Sequence, residues 1–242
     1  MQIYRCGRWM TWLSLVGAGL CSAHWIRARR RLFSLGGVEP RPYGTPLFIT
    51  YQQTTNMETP KNRNWKVLKS EYLSRQPWFT VRKEEVELPN GNRIPEYYIF
   101  EYPEWINVIA ITKEQKFVFV SQYRHGLGIT AYELCAGVCE KEDASPLISA
   151  QRELLEETGY GNGNWSELMV IGVNPSTHTN QTYCYLATDV EPVTVQHLEA
   201  TEDLSVHLLT LDEVKELLLD DRIKQALHVA PLWKYMAMNH LI

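Results

Sequence analysis

Three carboxylates, Glu153, Glu156 and Glu157, fall within one short run, QRELLEETGYG at residues 151–161. Residues three and four apart on a helix are neighbours, and like charges placed so cost roughly 0.2–0.5 kcal/mol per pair. Something must offset that repulsion. Water around a solvated face would do so. A bound cation would too, because carboxylates at i, i+3 and i+4 form half of a cage and leave the other half open.

The elements that would hold these groups are legible around them. Ser145 suits an N-cap, Pro146 the first helical position and Gly159 the left-handed position that stops a helix. At 100° per residue, Leu147, Leu154, Leu155 and Thr158 share one side. Glu153, Glu156 and Glu157 fall on the other, facing solvent or a cleft. Upstream, WINVIAIT and FVFVSQYR read as strands buried on at least one face, and AYELCAG as a short strand ending at Gly137. Before them, VRKEEVELPNGNRIPEYYIFEY reads as two strands around Asn90-Gly91, a hairpin signal. Downstream, LMVIGV, TYCYLAT and LSVHLLTL read as strands and DEVKELLLDD as a helix. IKQALHVAPLWKYMAM reads as a helix that Pro231 should break or kink. Strands and helices interleave, so the class is mixed α/β.

AGVCEKEDASPLISAQRELLEETGY resembles the Nudix box, a loop followed by a helix with the pattern Arg-Glu-apolar-x-Glu-Glu-x-Gly-apolar. Arg152 through Tyr160 match it at every position. From Gly137 to Arg152 the spacing is one residue longer than the family's, so the family's first glutamate falls on Ala144, beside Glu142 and Asp143. The resemblance implies an α/β/α sandwich with a mixed sheet over residues 104–242. Residues 57–103 resemble the extra N-terminal strands of the nucleoside-diphosphosugar branch and imply a homodimer.

The resemblance also implies a chemistry: Mg²⁺-dependent hydrolysis, with Mn²⁺ as a substitute, of a nucleoside diphosphate linked to another group. By the same analogy Glu153 and Glu157 are the main metal ligands, Glu156 is shared or water-bridged, the Ala136 carbonyl completes the site and Arg152 orients the glutamates. Pro175 stands sixteen positions after Gly159, as in the resembling ADP-ribose pyrophosphatases. Arg124 matches a phosphate-binding arginine, and Glu133 a glutamate near the substrate or metal. The general base should come from a loop between two late strands, where Glu202 is the first candidate and Glu199 the second. The expected reaction takes ADP-ribose to AMP and ribose 5-phosphate. GDP-mannose-like sugars and NADH are the next substrates. A non-catalytic nucleotide sensor is the alternative outside enzymology, and it would be expected to lack box glutamates. His125, His178 and His207 are assigned to packing or surface.

The rest of the chain sets limits. Residues 1–56 carry seven Arg, no Lys and one acid, Glu39. The remainder carries 17 Lys plus Arg against 27 Asp plus Glu. Such an acidic body argues against nucleic acid as a partner. Five cysteines with no CxxC point to a reduced, cytoplasmic protein without a zinc site. Residues 9–31 have an apolar core of roughly 16 residues, short of the roughly 20 a spanning helix needs. They read as an extension or mis-assigned start, a membrane anchor facing the cytoplasm, or a cleaved signal. Met57 opens METPKNRNWKVL, which has the character of a natural start.

Overall fold

The structure, a computed structural model, describes residues 59–242. The readings of residues 9–31 and of Met57 lie outside the described residues. Among those described, no helix is long and apolar enough to cross a membrane.

Strands β1 (Lys66–Gln76), β2 (Phe79–Glu87) and β3 (Arg93–Glu101) form a separate antiparallel sheet in the order β1-β2-β3. Asn90-Gly91 lies in the β2–β3 turn as expected, with Gly91 at φ 83°. The turn is wider than two residues: Leu88 N–H donates to Asn92 O and Gly91 N–H to Leu88 O.

The body begins with β4 (Trp105–Thr112), β5 (Phe117–Arg124) and β6 (Ile129–Val138), followed by helix α1 (Pro146–Thr158). Then come β7 (Tyr160–Gly161), β8 (Asn164–Gly172), β9 (Gln181–Pro192), β10 (Leu204–Leu209), α2 (Leu211–Leu219) and α3 (Ala226–Met238). The strands make one sheet in the order β10-β5-β6-β4-β9-β7, with β8 paired to β9. Only β4 and β9 run parallel among the paired strands; the other pairs are antiparallel.

Both faces of this sheet are covered, and the strands' two-residue period explains how. Ile106, Val108 and Ala110 of β4 pack with Ala150 and Leu154 of α1. Ile109 and Ile111 point the other way, into a cluster with Val214, Leu217 and Leu218 of α2 and Leu232 and Met236 of α3. The result is the expected α/β/α sandwich on a mixed sheet. The strand ending near Gly137 is longer than AYELCAG, since pairing to β5 begins at Ile129.

Pro231 does not break the last helix. It lies buried inside a continuous α3. A proline lacks the N–H that would bond the carbonyl four residues back, here Leu227. The buried amide of Asn107 in β4 replaces that donor, with Nδ2 at 2.8 Å from Leu227 O. The sheet thus repairs the helix, and so fixes the N-terminal end of α3 against β4.

Candidate active site

Helix α1 has the expected ends. Ser145 caps it by accepting from Ile148 N–H at 3.4 Å. Gly159 closes it at φ 75°, its N–H bonded to Leu155 O. A Cβ at Gly159 would also stand 2.4 Å from the Thr194 carbonyl, so the following loop presses directly on this helix end.

The opposite wall is the second half of β6, which changes partners along its length. It pairs with β5 through Leu134 and with β4 from Cys135 onward. The N–H groups of its even-numbered residues point to the other edge, which no described strand covers: Leu134 N–H already meets His228 Nδ1, and those beyond it need other acceptors. The α1 carboxylates supply them: Glu157 Oε2 accepts from Ala136 N–H at 3.2 Å and Glu153 Oε1 from Val138 N–H at 3.3 Å. Gly137, between those two amides, has no room for a side chain. A Cβ there would lie 2.1 Å from the Glu153 carboxyl carbon.

Glu157 is therefore buried at 4% exposure, on the side of α1 expected to face solvent or a cleft. Burial pushes its pKa up to about 8, and the charges of Glu153 and Glu202 add to the rise. Burial likewise pushes Glu153 up to about 7, against the pull of Arg152. Glu156 is more exposed and is held by Arg152 at 2.9 Å. Arg152 also reaches Glu153 Oε1 at 3.1 Å, the Val138 carbonyl at 3.1 Å and Asp143 Oδ2 at 3.1 Å. Burial pulls its guanidinium down, but Asp143, Glu153 and Glu156 outweigh that and hold it above its usual value. Arg152 thus contacts both Glu153 and Glu156, two of the carboxylates it was expected to orient. The loop residue that meets it is Asp143, next to the Ala144 at the position of the family's first glutamate.

Among the described residues, no three His, Cys, Asp or Glu side chains converge into a ready metal cage. Arg152 draws Glu153 and Glu156 sideways, while Glu157 turns to the strand. The donor set nevertheless suits a hard divalent cation. Glu153 Oε2 and Glu157 Oε1 have no nitrogen or oxygen donor among the described residues; the Cys135 thiol also bonds the Glu157 carboxyl. Two carboxylates, one buried and one partly buried, both with raised pKa values, gain most from a nearby positive charge. Oxygen ligands with room left for water match what Mg²⁺ prefers.

Next to this edge lies a cleft of about 330 Å³, lined by Trp105 and Asn107 of β4, Ala136 to Val138 of β6, Thr182 of β9, Arg124, and Gln225, Leu227 and His228 at the start of α3. Arg124 is anchored by Glu133, which is 2% exposed: Nε donates to Oε1 at 2.8 Å and a second guanidinium nitrogen donates to Oε2. This bidentate pair, chiefly its hydrogen bonds, raises the Arg124 pKa and gives the guanidinium a fixed plane at the cleft.

The loop after β9 runs over the end of α1. Gln196 Nε2 donates to Glu157 O at 2.7 Å, and His197 N–H to Glu156 O at 2.9 Å. Glu199 and Glu202 follow, both exposed. Glu199 N–H donates to Glu202 Oε2 at 2.9 Å, which tethers the two together. Pro175 is elsewhere. Its loop docks on β3, through the bond from Phe100 N–H to Thr177 O and the Tyr97 hydroxyl on Ser176 O, and Pro175 does not line the cleft.

Of the histidines assigned to packing, His178 sits against the Phe100 and Tyr102 rings and His207 against Tyr132. Sequence reasoning missed His228, Asn107 and Thr182, which carry no motif; only the folded sheet brings them to one cleft.

Residues 102–229 match the family model of the NUDIX domain, and residues 65–100 that of the nucleoside diphosphate sugar hydrolase N-terminal domain. The chain is 32% identical over 179 residues to the methanol dehydrogenase activator of Bacillus methanolicus, covering 72% of this chain and 96% of that protein. It is 34% identical over 141 residues to the ADP-ribose pyrophosphatase of Bacillus subtilis (strain 168), covering 58% of this chain and 71% of that one. The crystal structure of an ADP compounds hydrolase shares the fold with a TM-score of 0.64 at 22% identity, covering 75% of this chain and 96% of that chain.

Proposed function

This chain belongs to the Nudix family as an ADP-ribose pyrophosphatase-like hydrolase, and we propose that it cleaves the diphosphate of ADP-ribose or a related nucleoside-diphosphate sugar, releasing AMP and ribose 5-phosphate from the former. The observation that carries this reading is the pair of carboxylates, Glu157 buried and Glu153 partly buried, held against the unpaired edge of β6 beside a cleft that Arg124 enters. The match of residues 65–100 to a nucleoside diphosphate sugar hydrolase domain supports the substrate class.

In this reading Glu153, Glu157 and the Ala136 carbonyl hold Mg²⁺, with Mn²⁺ as a substitute. A bound ion of this kind neutralises phosphate charge and activates water. Arg152 keeps Glu153 and Glu156 aligned. Arg124, fixed by Glu133, takes a phosphate oxygen. Glu202 accepts the proton of the attacking water, with Glu199 as the alternative; a positioned base is worth about 10²–10⁴-fold. Pro175 acts at a distance, by shaping the loop that seats the N-terminal sheet.

The same sheet supports a homodimer. Trp65, Val67, Tyr72, Leu73 and Phe79 of β1, β2 and the residue before them are all more than 40% exposed, an apolar face suited to a second copy. Light scattering on the purified protein tests this, and a monomer at micromolar concentration refutes it.

The activity is tested with a panel of ADP-ribose, GDP-mannose and NADH in Mg²⁺, scored by release of phosphatase-sensitive monophosphate. ADP-ribose should lead, with kcat/KM of roughly 10⁴–10⁸ M⁻¹s⁻¹. A preference above tenfold for GDP-mannose moves the substrate within the branch. No turnover of any member favours a nucleotide sensor.

A further inference from the structure

The start of α3 brings into the cleft a group for which the proposed chemistry has no role. His228 is 3% exposed and lines the cleft wall. Its Nδ1 lies 3.2 Å from the backbone nitrogen of Leu134. A backbone N–H can only donate, so Nδ1 must be the acceptor. The proton of the neutral ring is then on Nε2. Burial keeps the ring neutral by lowering its pKa to about 4, against the charge of Glu133. Nε2 meets no partner among the described residues, yet it is not among the atoms sealed from solvent. His228 is therefore a fixed, uncharged donor without an acceptor.

Two more polar atoms of the same wall lack partners. Asn107 Oδ1 and Thr182 Oγ1 are buried and unbonded among the described residues. Asn107 spends its Nδ2 on Leu227 O, so its amide cannot flip without orphaning that carbonyl, and Oδ1 stays an acceptor. Trp105 pairs with Thr182 across β4 and β9, so its ring shares their face of the sheet. The wall thus offers the neutral Nε2–H donor of His228 beside an indole, with Asn107 Oδ1 and Thr182 Oγ1 as two further neutral, unbonded groups sealed just behind it. A phosphate would call for cations. A hydroxylated ring, whose oxygens both donate and accept and whose apolar face lies on an indole, matches this set.

We propose that His228 is the specificity-determining residue of this wall and reads a hydroxyl of the sugar that the diphosphate joins to the nucleoside. This rests on the nucleoside-diphosphosugar reading above. It adds which end of the substrate enters the cleft and which residue selects it.

Two substitutions separate the two nitrogens of the ring. His228→Asn keeps an acceptor near Leu134 N–H and deletes the donor. His228→Gln keeps a donor near the Nε2 position and abandons Leu134 N–H. The readout is the ratio of kcat/KM for ADP-ribose to that for the β-methyl ester of ADP, which has the same nucleoside and diphosphate but a methyl group in place of the second ribose, together with Tm. The His228→Asn ratio should fall roughly tenfold, the size a lost neutral hydrogen bond produces, with Tm near that of the parent. The His228→Gln protein should melt lower yet keep most of the ratio. If the ratio follows Tm across both variants, or His228→Asn leaves it unchanged, His228 is a packing residue and the proposal fails. If the parent cleaves both substrates equally, the sugar is not read here, although the hydrolase reading survives. If it cleaves neither, the hydrolase reading falls first.

Discussion

Replacing Glu157 by glutamine should stabilise the metal-free protein at alkaline pH while disabling it. The folded protein holds the Glu157 carboxyl at about 8, above its ordinary 4.5. Between those two values the native state binds a proton that the unfolded chain has released. Stability therefore falls as pH rises through that window. At about 1.4 kcal/mol per pKa unit, the full displacement corresponds to about 5 kcal/mol as a ceiling. Relaxation and water penetration around a buried charge bring the expected effect to about 2 kcal/mol. For a chain of this size each kcal/mol moves Tm by about 2–4 °C. The glutamine that replaces Glu157 would still accept from Ala136 N–H through its amide oxygen, so the anchor to β6 survives. Scanning calorimetry in chelator from pH 5 to pH 8 should show the parent losing Tm steadily. The Glu157→Gln protein should lose less and melt about 4–8 °C higher at pH 8. Added Mg²⁺ should reverse the order by raising only the parent, and turnover of the variant should drop by about 100-fold or more, at least the loss typical of weaker perturbations around a metal. Parallel pH slopes in chelator, or a variant that melts lower at pH 8, would refute the burial argument.

Three further outcomes follow from other contacts. Glu202→Gln should lower kcat by about a hundredfold with little change in metal affinity, and Glu199→Gln should lower it less; a large loss only at Glu199 moves the base there, and no loss at either removes the loop from the chemistry. Gly137→Ala should cost at least tenfold in activity, because its Cβ would stand 2.1 Å from the Glu153 carboxyl carbon; wild-type kcat in this variant would show that Glu153 can move freely. Asn107→Ala should lower stability by about 1–3 kcal/mol by orphaning the Leu227 carbonyl, which urea unfolding measures directly, and no change in midpoint would mean that the carbonyl finds water instead.

What was legible in the sequence was local. Ser145, Pro146 and Gly159 bound α1 because caps act within a turn of the residues that make them. The apolar run WINVIAIT predicts a buried strand because both of its faces are apolar. What was hidden depends on pairing. Glu157 is buried because it caps Ala136 N–H on the β6 edge that no described strand covers, and nothing in AYELCAG marks that edge. Pro231 defeats a local reading because its remedy, Asn107, lies 120 residues from Leu227. Arg124 and Glu133 could be named as a substrate arginine and its neighbour. That they form one bidentate unit required the register placing Gln122 opposite Ala131 and Arg124 opposite Ile129. His228 had no signal at all, since a lone histidine in a helix says nothing about which nitrogen is free.

The bond between Asn107 and the Leu227 carbonyl also bears on the order of assembly. Helix α3 cannot complete its own hydrogen-bond ladder at Pro231, so as an isolated segment it carries a gap that only water fills. The missing donor belongs to the first strand of the body, made long before α3 leaves the ribosome. Closing so distant a contact is entropically slow, and it must wait until β4 is in place. Helix α3 therefore completes its hydrogen bonding only against β4. Without that docking the cleft lacks the wall formed by Gln225, Leu227 and His228.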